Sequence, residues 1–271
     1  MTAFASRHRL TAAQSLSQDV MSDSIRLEAG RSEGGRDMKR PQLSFLLLVL
    51  LLGIVSLVPA VRAVDREEGG YVGEKGEGHD TVVYNFLKHF NYQQYYWGYK
   101  HQWSTNNDNR VDAMDFAIFA GHGSRWSIRL LDGSLSLTTA GRSSDEGYGD
   151  LDCEFVAFES CKVVPSPREV SDWYSNWTSE SDDVFDGLHQ ALGFRTDSYQ
   201  STDQKVTDYF GERISKNYGV WESWFDAINA KGRSDEMGAA VMHPTCDGDT
   251  YGSFAADPPK TSTRLRIWYQ Y

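Results

Sequence analysis

Two short motifs place a histidine and a cysteine directly after apolar runs. The first is DFAIFAGHGS, residues 115–124, whose run ends in Gly121-His122-Gly123, and the second is FVAFESC, residues 155–161, which ends in Cys161. A thiol is mostly protonated at neutral pH, and a nearby imidazole helps to form the thiolate or protonates a leaving group. We therefore expect His122 and Cys161 to act as a dyad that attacks an acyl carbon.

Residues beside the dyad are expected to complete the site. Because Gly123 has no side chain, its backbone N–H can approach a reacting carbonyl and serve as an oxyanion donor, with the N–H of Cys161 as the second donor. A charged Glu159 that faced the thiol would oppose thiolate formation. His189, within GLHQAL, is expected on a helix surface or helix end and is a further candidate for lining the site. The candidate lining residues are Gly121, Ser124, Glu159, Ser160 and His189.

The two apolar runs are the elements that must position the dyad. Residues 116–120 and 155–158 are continuous rather than alternating, which favours parallel strands that are covered on both faces. The segment between them is long enough for a crossover connection. Functional groups in parallel α/β sheets concentrate beyond the carboxyl ends of the strands, so we expect His122 and Cys161 at one common edge.

The two motifs resemble those of the caspase-like cysteine peptidases, the clan that contains caspases, legumain, gingipain, clostripain and separase. In that clan one hydrophobic strand ends in His-Gly, and a later one ends in a small residue followed by Cys. The resemblance covers residues 115–161 and implies a caspase-like three-layer α/β/α sandwich with a His122/Cys161 dyad and an oxyanion hole at Gly123. The specificity-pocket residues of caspases and legumains have no recognisable counterpart, so no substrate preference is implied.

A second resemblance extends over most of residues 80–271. The chain is similar to an uncharacterised family of exported bacterial proteins of unknown function, which shares the GHG and Ser-Cys elements. The same family has counterparts of VWESWFDAINAKG and GAAVMHP. This likeness implies a shared fold and no established activity.

The remaining pattern completes an α/β domain over residues 80–271, in which strands alternate with helices. Four helices and two late strands are predicted. The first helix begins at Asp80, and the second contains Val184, Leu188 and Leu192. The third runs from Val206 to Ile214, and the fourth from Val220 to Ile228. The two strands lie in GAAVMHP and RLRIWYQY.

The first 63 residues are predicted to lie outside the folded domain. Residues 1–37 are polar without an apolar period, and we interpret them as an untranslated or disordered lead before a start at Met38. Residues 38–63 are typical of a signal peptide, because Lys39 and Arg40 precede an apolar core and Ala63 ends a cleavage site. The alternative is a retained membrane anchor. The protein is therefore expected to be exported: secreted, periplasmic or at the cell surface. Residues 64–79, rich in glycine and charge, are interpreted as a linker.

Charge and histidine spacing exclude several partners. Without its first 63 residues, which hold 8 basic and 5 acidic side chains, the chain has 19 Lys+Arg against 33 Asp+Glu, a net charge of −14. Such a surface repels phosphate backbones, so nucleic acid is not expected as a partner. The expected partner is a peptide or protein substrate, with membrane contact only if the signal segment is retained. The histidines show no HExxH spacing and the cysteines no Cys-x-x-Cys spacing, so neither a metal nor another cofactor is expected.

Three cysteines leave two functional hypotheses open. Cys153 and Cys161 lie at either end of one predicted strand, about 26 Å apart if extended, which is too far for a disulfide. Cys246 is left to pair with one of them or with neither. The leading hypothesis is an exported cysteine-dependent hydrolase, with a peptidase as the first class to test. The alternative is a catalytically silent secreted caspase-like module that binds peptide or glycan, which a Cys161–Cys246 disulfide would favour.

Overall fold

The structure, a computed structural model, describes residues 66–137, 147–178, 184–259 and 264–271. The predicted lead at 1–37 and the predicted signal peptide at 38–63 lie outside these residues. Within the described ranges, no helix combines the length and the hydropathy that a membrane crossing requires.

A seven-stranded sheet organises the chain. Its strands, in spatial order, are β10 (Arg266–Tyr269), β9 (Gly238–Met242), β8 (Gln190–Phe194), β7 (Phe155–Glu159), β3 (Phe116–Ala120), β1 (Glu68–Val72) and β2 (Gln93–Trp97). The five strands from β8 to β2 are parallel, whereas β9 runs antiparallel to β8 and β10 antiparallel to β9. The predicted α/β class with a mostly parallel sheet is confirmed.

The two apolar runs of the sequence form neighbouring strands at the centre of this sheet. Strand β3 pairs with β7 in parallel, from Phe116 opposite Phe155 to Ala120 opposite Glu159. All five residues of each strand are buried. A strand that is covered on both faces has no solvent side, which is why both runs read as continuous rather than alternating.

Three α-helices cover one face of the sheet. They are α1 (His79–Leu87), α2 (Gln200–Ser215) and α3 (Val220–Lys231), and they begin and end close to three of the predicted helices. Phe86 of α1 and Phe210 of α2 meet Phe116 of β3, with the Phe86 ring centroid 5.0 Å from that of Phe116 and 5.5 Å from that of Phe210. Trp224 of α3 donates its indole N–H to the Gly193 carbonyl at 3.0 Å.

The opposite face has a different cover in the described residues. A three-stranded antiparallel sheet lies there, made of β4 (Gly123–Ser124), β5 (Ser127–Leu130) and β6 (Gly133–Ser136). Short 3₁₀ helices complete the layer at Lys100–Trp103, Asn107–Asn109 and Val111–Ala113. Trp103 is fully buried against Phe119 and Phe158, with ring centroids 5.8 and 5.7 Å away. The central strands therefore lie in the middle of three layers.

The interpretation of residues 64–79 as a linker is wrong for residues 68–72. These residues form β1, which is fully buried between β3 and β2. Its glycines are needed for packing: a Cβ on Gly70 would lie 2.7 Å from Leu87 Cδ1 and closer still to Val83 Cγ1. Glycine at this strand position permits a helix to approach the sheet, so the composition typical of a flexible segment has a steric cause here.

The helix predicted through Val184, Leu188 and Leu192 is also wrong. Residues 190–194 are strand β8, all of them buried. Apolar residues four apart match one face of a helix, but a buried strand has no alternation to distinguish it. The spacing of these three side chains therefore did not decide between the two structures.

Candidate functional site

The carboxyl edge of the parallel strands holds both predicted members of the dyad. Ala120 and Glu159 are paired at the ends of β3 and β7, and His122 and Cys161 each follow two residues later. The Gly121 N–H donates to the Glu159 carbonyl at 3.3 Å, and the Ser160 hydroxyl donates to the Gly121 carbonyl at 2.7 Å. These bonds hold the two segments side by side where the strands end.

His122 and Cys161 have different partners at this edge. The His122 side chain is 51% exposed, and its Nε2 lies 2.9 Å from Glu77 Oε2 and 3.5 Å from Glu74 Oε2. The partly exposed Cys161 thiol contacts Ser198, with Sγ 3.6 Å from the carbonyl oxygen and 3.7 Å from the hydroxyl. Both reactive groups are therefore within reach of a molecule in solvent.

Gly123 occupies a position that only glycine fits. A Cβ there would lie 2.5 Å from Val163 Cγ2 and closer still to Ser160 Oγ. Gly123 is paired with Ile128 of β5, while the neighbouring Arg129 N–H donates to the His122 carbonyl at 2.9 Å. In an antiparallel ladder this makes Gly123 a non-hydrogen-bonded position, so its N–H points away from β5. The next residue, Ser124, is exposed.

Glu159 and Ser160 lie beneath the edge and are buried. Burial, together with Asp203 of α2, raises the pKa of Glu159 well above its usual range, and the Glu159 side chain is 1% exposed. A raised pKa lessens the negative charge that this carboxyl places beside Cys161. The opposition to thiolate formation expected from a charged Glu159 is thereby reduced.

Sequence reasoning missed a group of residues on the other side of His122. Glu74, Glu77 and His79 follow β1, on the loop that leads into α1. Gly76 and Gly78 of this loop have φ of 85° and 81°, in the left-handed region where glycine is favoured, and they turn the loop back over the edge. The linker interpretation hid these residues, although GEKGEGHD between a strand and a helix was a signal for a turn that presents side chains.

His79 is the most enclosed of that group. It is 6% exposed, and its ring lies 5.7 Å from the His122 ring at an interplanar angle of 80°. Burial, followed by the nearby His122, lowers the pKa of His79. Both ring nitrogens are buried, and neither has a hydrogen-bond partner among the described residues.

His189 lies at the opposite edge. It directly precedes β8, and its N–H donates to the Glu154 carbonyl at 2.9 Å, just before β7 begins. The strand path from residue 154 to Cys161 is about 23 Å, so His189 does not reach the dyad. It is fully buried, and its Nδ1 lies 2.7 Å from Asp249 Oδ2.

Cys161 and Cys246 also lie at opposite edges of the sheet. All three are free thiols. Cys246 lies at the amino edge, where its carbonyl accepts from Gln190 Nε2 at 2.7 Å, and burial raises the pKa of its thiol to about 12. A disulfide requires Cα atoms within about 7 Å, so this fold does not permit a bond between Cys161 and Cys246.

Side chains of the types that can bind metal ions converge at several places in the described residues. In each of four groups, one potential ligand atom per residue lies within 4.8 Å of the others. The groups are Glu77, His79 and His122; His189, Cys246 and Asp249; Asp108, Asp112 and Asp150; and Asp115, Asp152 and Glu154. None of them has the sequence spacing of the motifs considered above, because their members come from separate loops.

Comparisons with known proteins identify a family. The family model described as "Domain of unknown function (DUF6345)" matches residues 65–269, and the chain belongs to this family. No curated protein matches the sequence. A solved structure described as "Structure of Protease" is similar at 14% identity and a TM-score of 0.37, covering 68% of this chain and 44% of that chain. Neither description names a caspase-like peptidase, so that resemblance stays a prediction.

Proposed function

We propose that this member of the DUF6345 family is a cysteine-dependent hydrolase whose site lies at the carboxyl edge of its sheet, with a peptidase as the first class to test. Cys161 is the nucleophile and His122 the general base and acid. The observation behind the proposal is the register of β3 and β7, which pairs Ala120 with Glu159 and so places His122 and Cys161 at equivalent positions of adjacent strands.

The contacts of His122 suit a proton-transfer role. Glu77 Oε2 lies 2.9 Å from Nε2 as an ion-pair partner, so Nδ1 is assigned as the ring nitrogen that takes a proton. A carboxylate on the far side of an imidazole fixes the tautomer and stabilises the imidazolium that forms. Cys161, His122 and Glu77 would then have the roles of nucleophile, base and orienting carboxylate.

The reaction follows from these roles. His122 takes the thiol proton as Cys161 Sγ bonds to the acyl carbon, and the N–H groups of Gly123 and Cys161 bind the resulting oxyanion. The imidazolium returns the proton to the leaving group as its bond to carbon breaks, which leaves a thioester on Cys161. Water, deprotonated by His122, hydrolyses the thioester and releases the acid and the free thiol.

The fold also weakens the case for a silent binding module. That alternative would gain support from a disulfide between Cys161 and Cys246, since an oxidised sulfur cannot attack a substrate. These two residues lie at opposite edges of the sheet, and both are free thiols. The Cys161 sulfur is thus left in the state that nucleophilic catalysis requires.

The proposal is tested with a thiol-directed, acyl-type activity probe. Cys161→Ala should lower labelling on the order of 10³-fold, and His122→Ala about 10²-fold, with circular dichroism unchanged. Cys246→Ala is the matched control, since it removes a buried thiol from the other edge, and it should label like the parent protein. Equal labelling of Cys161→Ala and the parent protein would contradict the assignment.

A further inference from the structure

Four side chains from two loops converge beside the proposed dyad. Glu77 Oε2 lies 2.9 Å from His122 Nε2 and 3.6 Å from His79 Nε2, and Glu74 Oε2 lies 3.5 Å from His122 Nε2. One carboxylate oxygen is therefore shared between two imidazole nitrogens. A pair of histidines with a carboxylate is a donor set that Zn²⁺ and similar transition metals bind.

The separations match those of ligands around one metal ion. Bonds of about 2.0–2.1 Å from Zn²⁺ to nitrogen or oxygen, directed to the corners of a tetrahedron, place neighbouring ligand atoms about 3.3 Å apart. The three measured separations of 2.9, 3.5 and 3.6 Å lie on either side of that value. The potential ligand atoms of Glu77, His79 and His122 all lie within 4.8 Å of one another, so a small adjustment of the side chains would place one metal ion among them.

His79 gives an independent indication of a ligand. It is only 6% exposed, its Nε2 lies 3.6 Å from Glu77 Oε2, and neither of its ring nitrogens has a hydrogen-bond partner among the described residues. A buried polar group without a partner is costly, so a native structure normally satisfies it. Glu74 Oε2 is likewise buried without a hydrogen bond in the described part of the chain.

The backbone holds this donor set in place. His79 is the first residue of α1, and the side-chain amide of Gln200 in α2 donates to the Glu77 carbonyl. His122 is fixed by its carbonyl, which accepts from Arg129 of β5. His79 is therefore held by α1, Glu77 by a loop that α2 contacts, and His122 by the hairpin of β4 and β5, so the donor set is preorganised as a metal site requires.

We propose that Glu77, His79 and His122 form a binding site for a Zn²⁺-class transition-metal ion, with Glu74 beside His122, and that occupancy switches off the dyad. The inhibitory role rests on the proposed function, whereas the binding site does not. When His122 Nε2 binds a metal, the neutral ring carries its proton on Nδ1. It then has no lone pair with which to accept the proton of Cys161.

Metal binding is tested first, without reference to activity. The metal-free full chain is titrated with Co²⁺, and the visible absorption bands of tetrahedral Co²⁺ are recorded before Zn²⁺ is added to displace it. We expect one Co²⁺ per chain, with affinity about 10²-fold lower in His79→Ala. His243→Gln, at the amino edge, and Cys161→Ala should bind like the parent protein. Binding by the parent that is no tighter than binding by His79→Ala would overturn the site.

The inhibitory role is tested by the rate at which the acyl-type probe labels Cys161, with and without saturating Zn²⁺. Zn²⁺ should slow labelling of the parent by about tenfold or more, and the ratio of the two rates should return to one in His79→Ala. Metal binding with an unchanged labelling rate would overturn the inhibitory role and leave the site standing. Absence of labelling in metal-free protein would instead count against the hydrolase, while the Co²⁺ titration would still decide the site.

Discussion

The two edges of the sheet contain the same kinds of side chain in opposite environments. The carboxyl edge has His122, Cys161 and Glu77, and the amino edge has His189, Cys246 and Asp249. Both histidines contact a carboxylate, at 2.9 and 2.7 Å, yet the His122 side chain is 51% exposed and that of His189 is fully buried. Residue type alone therefore does not distinguish the two edges, whereas access to solvent does, and the proposed site lies at the accessible edge.

The amino edge contains several buried carboxyl groups, which are costly to ionise but form hydrogen bonds between segments of the fold. Glu68, Asp115 and Glu154 lie there, and burial raises their pKa values to about 7, 6 and 9. Tyr251 donates to Glu68 Oε1 at 2.5 Å, and Asp115 accepts the Glu67 N–H at 2.7 Å. These groups tie the segments that enter the sheet, whereas the groups at the carboxyl edge are directed toward a loop and solvent.

The largest difference in stability is expected between the two histidines. His189→Ala should lower the free energy of unfolding by about 4 kcal/mol, because it leaves a cavity and removes the partner of the buried Asp249 Oδ2. His122→Ala, the matched change at the exposed edge, should cost less than about 1 kcal/mol. Urea denaturation of both variants measures the contrast. Similar losses in the two would mean that His122 also has a structural role.

The next prediction is that the stability difference between the wild-type protein and Glu68→Gln depends on pH. Its pKa is raised from 4.5 to about 7 in the folded protein, chiefly by burial, so folding binds a proton between these values. The contribution of Glu68 to the stability of the wild-type protein therefore falls as the pH rises from about 4.5 to 7. Glu68→Gln, which keeps an acceptor for Tyr251, should be more stable than wild type above pH 7, by up to about 3 kcal/mol, and equal to it below pH 4.5.

The control for this series is Glu212→Gln, on the exposed surface of α2. Its carboxylate accepts from Lys216, which lowers the pKa of Glu212, so its removal should give no gain above pH 7. Urea denaturation at pH 4.5, 6 and 8 provides the comparison. A gain for Glu68→Gln that is constant across pH would contradict the titration of this carboxyl.

A smaller difference in stability is expected when a glycine at each of the two edges is replaced by alanine. Gly123→Ala should cost about 2 kcal/mol, because its Cβ would meet Val163 and Ser160 and displace the segments that hold the dyad. Gly248→Ala, beside Asp249, has nothing within 4 Å of the added Cβ and should change stability by less than about 0.5 kcal/mol. Thermal unfolding of both variants distinguishes them, and a tolerant Gly123 would remove the steric argument for that residue.

The sequence predicted the centre of the fold better than its borders. Residues 116–120 and 155–158 were recognised because a strand covered on both faces is apolar throughout. Residues 68–72 were not, since Gly69 and Gly70 are required by the close approach of neighbouring side chains, which only the tertiary structure reveals. The strand at 190–194 was taken for a helix because fully buried residues show no distinguishing period.

In the candidate site, too, some residues could be predicted from the sequence and others could not. The location of His122 and Cys161 at one edge of the sheet could be predicted because each closely follows an apolar run, and parallel strands bring such positions to the same edge. Glu77 and His79 could not, because they reach His122 through a glycine turn between β1 and α1. His189 was misplaced together with its strand. Side chains that meet through loop geometry leave little trace in sequence spacing.

The central claim is that Cys161 is a reactive thiol at an accessible edge, whereas Cys153 and Cys246 are not. Alkylation of metal-free native protein by iodoacetamide, followed for each cysteine by peptide mass spectrometry, measures this directly. We expect Cys161 to react on the order of 10²-fold faster than the two buried thiols, and about tenfold slower when His122 is replaced by Ala. A Cys161 that reacts as slowly as Cys246, or at a rate independent of His122, would contradict the account.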